Sequence, residues 1–200
     1  MTHDRETTPR PGPHKVALSL IQTAALDYAA DHFPANGPQE PNWEMHRALT
    51  ATLDSWQANG TLREDSLLLT EQLAVDLVAY LFQQLGDRAR MELWLRDFGD
   101  QVCQAQQHSH PAGPTAIEIL SVVAEDLAVR PPEPAGAERL ARIGVPYLLY
   151  LRDGHEVEDA REMALTFALW AGAQLAALMH HDAERITAYL HARENAHTEE

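Results

Sequence analysis

The segment from Met163 to Met179 carries no charged residue, and it constrains the fold more than any other part of the chain. Other helices must surround a helix that is apolar on nearly every face. Small residues recur at every fourth position and form a stripe along one side, at Ala160, Ala164, Ala168, Gly172 and Ala176. We therefore expect an all-α fold, a single-domain orthogonal or irregular bundle of about eight helices around a buried central helix at 156–179.

A row of large residues predicts the neighbour of this central helix. Leucines recur every four residues within 62–85, at Leu69, Leu73, Leu77, Leu81 and Leu85. A ridge of large side chains can fit the groove above a row of small ones when both helices use their i±4 rows. The sequence thus predicts that the leucine-row helix packs against the small-residue stripe.

Proline, glycine and capping residues divide the rest of the chain. A Pro- and Thr-rich segment at 1–12 is typical of a flexible tail, the helical domain is expected over 13–194, and 195–200 should fray. The proline-rich segment 130–136 is a possible internal linker. Gly144 and Pro146 predict a kink or break in the helix that contains them.

Capping patterns place the helix ends. Gly86 suits a helix C-terminus, and Asp87 and Asp182 suit the start of the helix that follows each of them. Three pairs have the spacing of a capping box, in which two side chains satisfy amides left open at a helix start: Thr61 with Glu64, Thr115 with Glu118, and Asp153 with Glu156.

The charge balance bears on partners and location. The 200-residue chain has 30 acidic and 15 basic residues and a formal net charge of −15, which disfavours binding to nucleic acid and to anionic membranes. The uncharged stretch barely reaches the length of a membrane span, and Thr166 and Gln174 within it favour a buried helix instead. Because Cys103 is the one cysteine, no internal disulfide can form, and we expect a buried thiol in a cytoplasmic protein.

Clustered histidines and carboxylates offer the one candidate for metal chemistry. Four such residues share one face of the central helix at i, i+3, i+4 and i+7, namely His155, Glu158, Asp159 and Glu162. The pairs His180–His181 and His108–His110 are further candidate ligands. The helix dipole offers a simpler reason for both patterns, since it favours acids at a helix start and histidines at its end. A divalent metal is therefore the alternative to no cofactor at all.

The leading hypothesis is a non-enzymatic acidic helical protein that acts through protein–protein association, as an adaptor, a regulator or a homodimer. The chain has no nucleophile elbow and no glycine-rich phosphate loop. A variant is that the acidic surface imitates nucleic acid and binds a basic protein. The alternative is a metal- or small-ligand-binding helical-bundle enzyme or sensor that uses a His/Asp/Glu cluster, either the one at 155–162 or the His180–His181 pair. Separately, a pocket between helices could be lined by Trp170, Gln174 and Tyr147 or Tyr150. A ligand-sensing half of a transcription regulator is a third possibility, and a basic helix-turn-helix segment is missing for it.

Overall fold

The computed structural model describes residues 11–30, 43–105, 112–129 and 137–198, and these ranges contain eight helices and no strand. The helices are α1 (Pro13–Ala29), α2 (Trp43–Ala58), α3 (Leu62–Leu85), α4 (Arg88–Ala105), α5 (Gly113–Val129), α6 (Ala137–Tyr150), α7 (Glu156–Leu178) and α8 (Ala183–Thr198). The all-α prediction is confirmed. Most of the predicted tail at 1–12, the predicted linker at 130–136 and the histidines at 108 and 110 lie outside the described residues. Helix α8 extends to Thr198, into the segment that we expected to fray.

Helix α7 is the buried central helix that the sequence predicts. All five residues of its small-residue stripe are buried, and so are Met163, Phe167 and Leu175 on its other faces. Its two main neighbours are α1 and α3. The fold is therefore a bundle in which α1 and α3 cover α7.

The closest helix approach corrects one expectation. Helix α3 does pack against α7, but Gly172 faces α1 and not a leucine of α3. A Cβ added at Gly172 would lie 2.5 Å from the Ala24 Cβ and 2.8 Å from the Ala25 amide nitrogen. The backbones of α1 and α7 come this close because both helices present small side chains at the crossing.

Two groups of buried charged side chains join helices that are distant in sequence. In the first, the Arg139 guanidinium of α6 lies 2.7 Å from Glu71 of α3 and 2.9 Å from Asp126 of α5. Arg139 and Glu71 are each only 6% exposed at the side chain. In the second, Arg193 of α8 pairs with the fully buried Asp76 of α3 at 2.5 Å. These pairs hold α6 and α8 against α3.

Several helix ends follow the capping residues. Gly86 has a φ of 77°, which favours glycine, and it ends α3 as predicted. The Asp87 carboxylate accepts a hydrogen bond from the Arg90 amide at 2.9 Å. At the start of α8, the Asp182 carboxylate accepts from the Arg185 amide at 3.1 Å. These three predictions are confirmed.

The three predicted capping boxes are wrong. Thr61 precedes α3 without a capping bond from its side chain, and α5 begins at Gly113, so that Thr115 lies inside the helix. Residue 155, not Asp153, precedes α7. Both carboxylates of the last predicted pair, Asp153 and Glu156, bind Arg63 of α3 instead, because that cation lies within reach of both.

Helix α6 does not break at Pro146. It runs from Ala137 to Tyr150 with the proline inside. A proline removes one backbone amide donor and so weakens the helix around it. Here the buried side chains of Ile143 and Tyr147 hold the same helix in the core. Tertiary packing thus outweighs the local preference to stop.

None of the described helices is by itself long and apolar enough to cross a membrane. Helices α7 and α8 pass such a test only as a pair, and they are bent by 114° at their junction.

Candidate functional site

The predicted cluster at the start of α7 is divided among different neighbours. Asp159 is 2% exposed at its side chain and binds the Arg152 guanidinium, with Arg152 Nη2 at 2.5 Å from Oδ1 and the Arg152 amide at 2.7 Å from Oδ2. The exposed His155 and Glu158 side chains approach only to 4.0 Å. Glu162 lies near His46 of α2, whose pKa is lowered by burial and by the charge of Arg161; the Glu162 carboxylate opposes this shift only in part.

The pKa of Asp159 lies below its ordinary value. Burial of the carboxyl works to raise the pKa, but the hydrogen bonds and the charge of Arg152 outweigh that effect. Asp159 is therefore ionised and already neutralised by its own protein neighbour. A carboxylate engaged in this way is not free to bind a cation.

The predicted histidine pair lies at the turn between α7 and α8. His180 and His181 are both exposed and have φ values of 57° and 58°. The His181 amide donates to the Ala176 carbonyl at 2.7 Å and closes the turn. The left-handed backbone is unusual for two successive residues other than glycine, and the sequence pattern did not indicate it.

Within the described residues, no group of three or more His, Cys, Asp or Glu side chains is arranged to hold a metal ion. The divalent-metal hypothesis at His155, Glu158, Asp159, Glu162, His180 and His181 thus gains no support from the geometry, and it stays a prediction.

The residues proposed for a small-molecule pocket do not come together. Tyr147 is fully buried, and burial raises its pKa to about 12. Trp170 packs edge-on against Phe98, with ring centroids 4.8 Å apart. Gln174 lies one helical turn beyond Trp170, and Asp159 lies about 16 Å from Trp170 along α7 at 1.5 Å per residue. Because Tyr150 lines a groove together with Asp159, it lies near the start of α7 and not beside Trp170 and Gln174.

The expectation for Cys103 is also wrong, because its side chain is exposed. It lies at the end of α4 and lines an open groove between α4 and α5 together with Gly99, Ile117 and Ser121. The stripe of α4 that faces the core is narrow, and Cys103 falls outside it.

An exposed apolar strip on α6 is the most distinctive surface feature of the described residues. Val145 is 62% exposed, Leu148 47% and Leu149 82%. We call these three residues the α6 strip. They lie on the side of α6 opposite Ile143 and Tyr147, which are fully buried. Contiguous apolar patches on a protein surface are typical of contact sites, although single exposed apolar residues are common.

A groove of about 450 Å³ adjoins the α6 strip. Its lining comes from the end of α6, the first turns of α5 and the start of α7: Val145, Pro146, Leu149, Tyr150, Thr115, Glu118, Arg152 and Asp159. Two residues of the strip, Val145 and Leu149, thus form one wall of the groove. The strip and the groove make a continuous surface.

The charges in this groove are unevenly matched. Arg152 and Asp159 neutralise each other. Glu118 is exposed, and no residue of the part of the chain that the structure describes forms a hydrogen bond or an ion pair with it. Tyr150 is neutral, since burial and the charge of Asp159 raise its pKa to about 12. The groove therefore offers one free negative charge beside an apolar wall.

Sequence reasoning missed this surface because it expected Gly144 and Pro146 to interrupt the helix. If the helix is drawn through Pro146, then Val145, Leu148 and Leu149 fall opposite Ile143 and Tyr147, and α6 becomes apolar on two opposite sides. One of those sides can be buried in the core of the monomer, and the other is left at the surface. That double pattern was the available signal.

A search of family models, of curated proteins and of solved structures finds no match to this chain.

Proposed function

We propose that this protein is non-enzymatic and acts by association with another protein, which it contacts through the α6 strip. The observation that carries the proposal is the 82% exposure of Leu149 beside two other exposed apolar residues of the same helix, Val145 and Leu148. Removing such a side chain from water contributes about 1.5–3 kcal/mol when burial is complete. A partner that covers the strip would gain this free energy.

The way α6 is held supports the same proposal. Arg139 anchors the start of the helix through Glu71 and Asp126, and Ile143 and Tyr147 anchor its middle. The α6 strip is therefore presented on a backbone that is fixed before any partner arrives. A fixed surface binds more tightly because less conformational entropy is lost on association.

Native mass spectrometry of the untagged protein from its own cell tests the proposal. We expect a complex with a protein, and we expect Leu149→Asp to release the bare chain. Leu93→Asp is the matched control, since Leu93 of α4 is also an exposed leucine, at 50%. It should leave the complex intact.

Three results would contradict the proposal: a wild-type chain found without any protein partner, a complex that survives Leu149→Asp, and equal loss of the complex in both variants. Extra mass that matches a metal or a small molecule would favour the alternative hypothesis instead. Circular dichroism and thermal melting establish that each variant is folded.

A further inference from the structure

We infer that the partner segment is a basic amphipathic helix, which lays an apolar row on the α6 strip and places a lysine or arginine in the adjoining groove against Glu118. This inference rests on the proposed function and deepens it by naming the chemistry of the partner. Its two supports are the size of the strip and the distribution of charge around it.

The size of the strip favours a single helix as its occupant. A stable dimer interface uses about 20–30 residues of all kinds on each side. The α6 strip and its groove together comprise nine residues, the eight that line the groove and Leu148. Helices that bind to a surface are instead held by a few anchors spaced at i, i+3 and i+4. Val145, Leu148 and Leu149 have that spacing themselves, so one helix can be matched along another.

Charge favours a basic partner over a second copy of the chain. Each copy carries a formal net charge of −15, so two copies repel each other. A basic helix is attracted by the same charge, which increases its rate of association. The α6 strip is the place where this attraction and apolar contact can act together.

Glu118 locates the attraction within the groove. It lines the groove together with Val145 and Leu149, and its carboxylate is not engaged by any described residue. Among the described residues that line the groove, Arg152 is the one cation, and it is already bound to Asp159. A partner cation next to the apolar row therefore meets an available carboxylate.

Peptide binding to the full chain, followed by fluorescence anisotropy, tests the inference. The probe is a synthetic helix of about four turns with leucines at i, i+3, i+4 and i+7 and with lysines and arginines beside them. The control peptide has the same leucines and carries glutamates in place of the basic residues. We expect the basic peptide alone to bind, and more weakly as the ionic strength rises.

Variants of the protein separate the two contacts. Leu149→Asp should weaken binding of the basic peptide by more than about tenfold, as loss of an interface anchor does. Glu118→Gln should weaken it by about threefold to fivefold, as loss of a partly exposed ion pair does. Glu184→Gln removes the same charge at an exposed position of α8 and should leave peptide binding unchanged, which controls for the overall acidity of the chain.

Each other outcome overturns the inference at a defined step. Equal binding of both peptides would show that the partner need not be basic. Equal effects of Glu118→Gln and Glu184→Gln would show that the partner does not contact Glu118 in the groove. A wild-type dimer in sedimentation that Leu149→Asp dissociates would assign the strip to a second copy. If neither peptide binds while Leu149→Asp still releases a native protein complex, the proposed function stands and the partner chemistry is wrong.

Discussion

Asp159 is a buried carboxylate whose charge depends on one arginine that is largely in solvent. Arg152 is 67% exposed, and Asp159 is 2% exposed. Water therefore screens the attraction on the side of Arg152, whereas the Asp159 carboxylate is shielded from water. The hydrogen bond from the Arg152 amide, at 2.7 Å, reinforces the contact with a group that does not titrate.

The depressed pKa of Asp159 predicts an acid dependence of stability. A carboxyl whose folded pKa is below its unfolded value, about 3.9, stabilises the fold above that value and loses the contribution as the pH falls through the folded pKa. Asp159→Asn should lower the free energy of unfolding by about 1–2 kcal/mol at neutral pH, discounted for the exposure of Arg152. Urea unfolding across the acid range should show that the variant loses less stability on acidification than the wild type does. A parallel pair of curves would contradict this role.

The histidines of the α7–α8 turn predict a stabilising substitution. His181 adopts a φ of 58°, where an L-residue costs about 1–2 kcal/mol and glycine does not. His181→Gly should raise the free energy of unfolding by roughly 0.5–1 kcal/mol, net of the entropy that glycine adds to the unfolded chain. His191→Gly, within α8, should lower it by a similar amount. Chemical denaturation measures both, and loss of stability in the first variant would count against a strained turn.

Residue roles were the least predictable part of the site. The spacing of His155, Glu158, Asp159 and Glu162 does place them near one another along α7. It does not show which residues of other segments reach them, and Arg152 and the α2 side chains decide their roles. The same limit explains Cys103, because a pattern along one helix does not fix where the edge of the buried stripe falls.

At the scale of helices, the sequence predicted more of the structure than it did for the roles of individual residues. The bounds of α3 and α7 follow from Gly86 and from the charged residues that flank the apolar run. The pairing of helices was harder to predict, because small residues permit a close approach but do not determine which helix makes it. The pairing of α1 with α7 depends on Ala24 and Ala25 meeting Gly172.

That crossing gives a prediction on packing. Gly172→Ala adds a methyl group that would lie 2.9 Å from the Ala24 carbonyl carbon, against a backbone that cannot turn aside. We expect a loss of about 1–3 kcal/mol in the free energy of unfolding. Gly144→Ala is the matched control, because its new methyl would meet only the Leu67 Cδ2, at 3.5 Å, and it should be neutral or stabilising. Equal effects in denaturant unfolding would show that α1 and α7 are less closely packed.

The anchor of α6 predicts a large difference between two neighbouring arginines. Arg139→Leu leaves Glu71 buried without its cation and should cost about 3–5 kcal/mol. Arg142→Leu removes an exposed, solvent-screened pair with Glu125 and should cost far less. Thermal unfolding with calorimetry compares them. Similar losses would mean that the buried ion pair does not fix α6 in the core.

At the scale of the whole molecule, two properties converge on one surface. The chain is strongly acidic, with a formal net charge of −15, and its exposed apolar residues on α6 lie beside a free carboxylate. The net charge disfavours contact between two copies, and the proposed partner of opposite charge would cover the α6 strip. The proposed association rests on this combination rather than on either property alone.

The measurement that tests this account most directly is site-specific photo-crosslinking in the protein's own cell. Two variants would be made, one with a photoreactive side chain in place of Leu148 and the other in place of Leu93. These positions are 47% and 50% exposed. The account predicts a crosslink to a different protein at position 148 and none at position 93. No crosslink at position 148, or the same crosslinks at both positions, would contradict the claim that the α6 strip is the surface through which this protein acts.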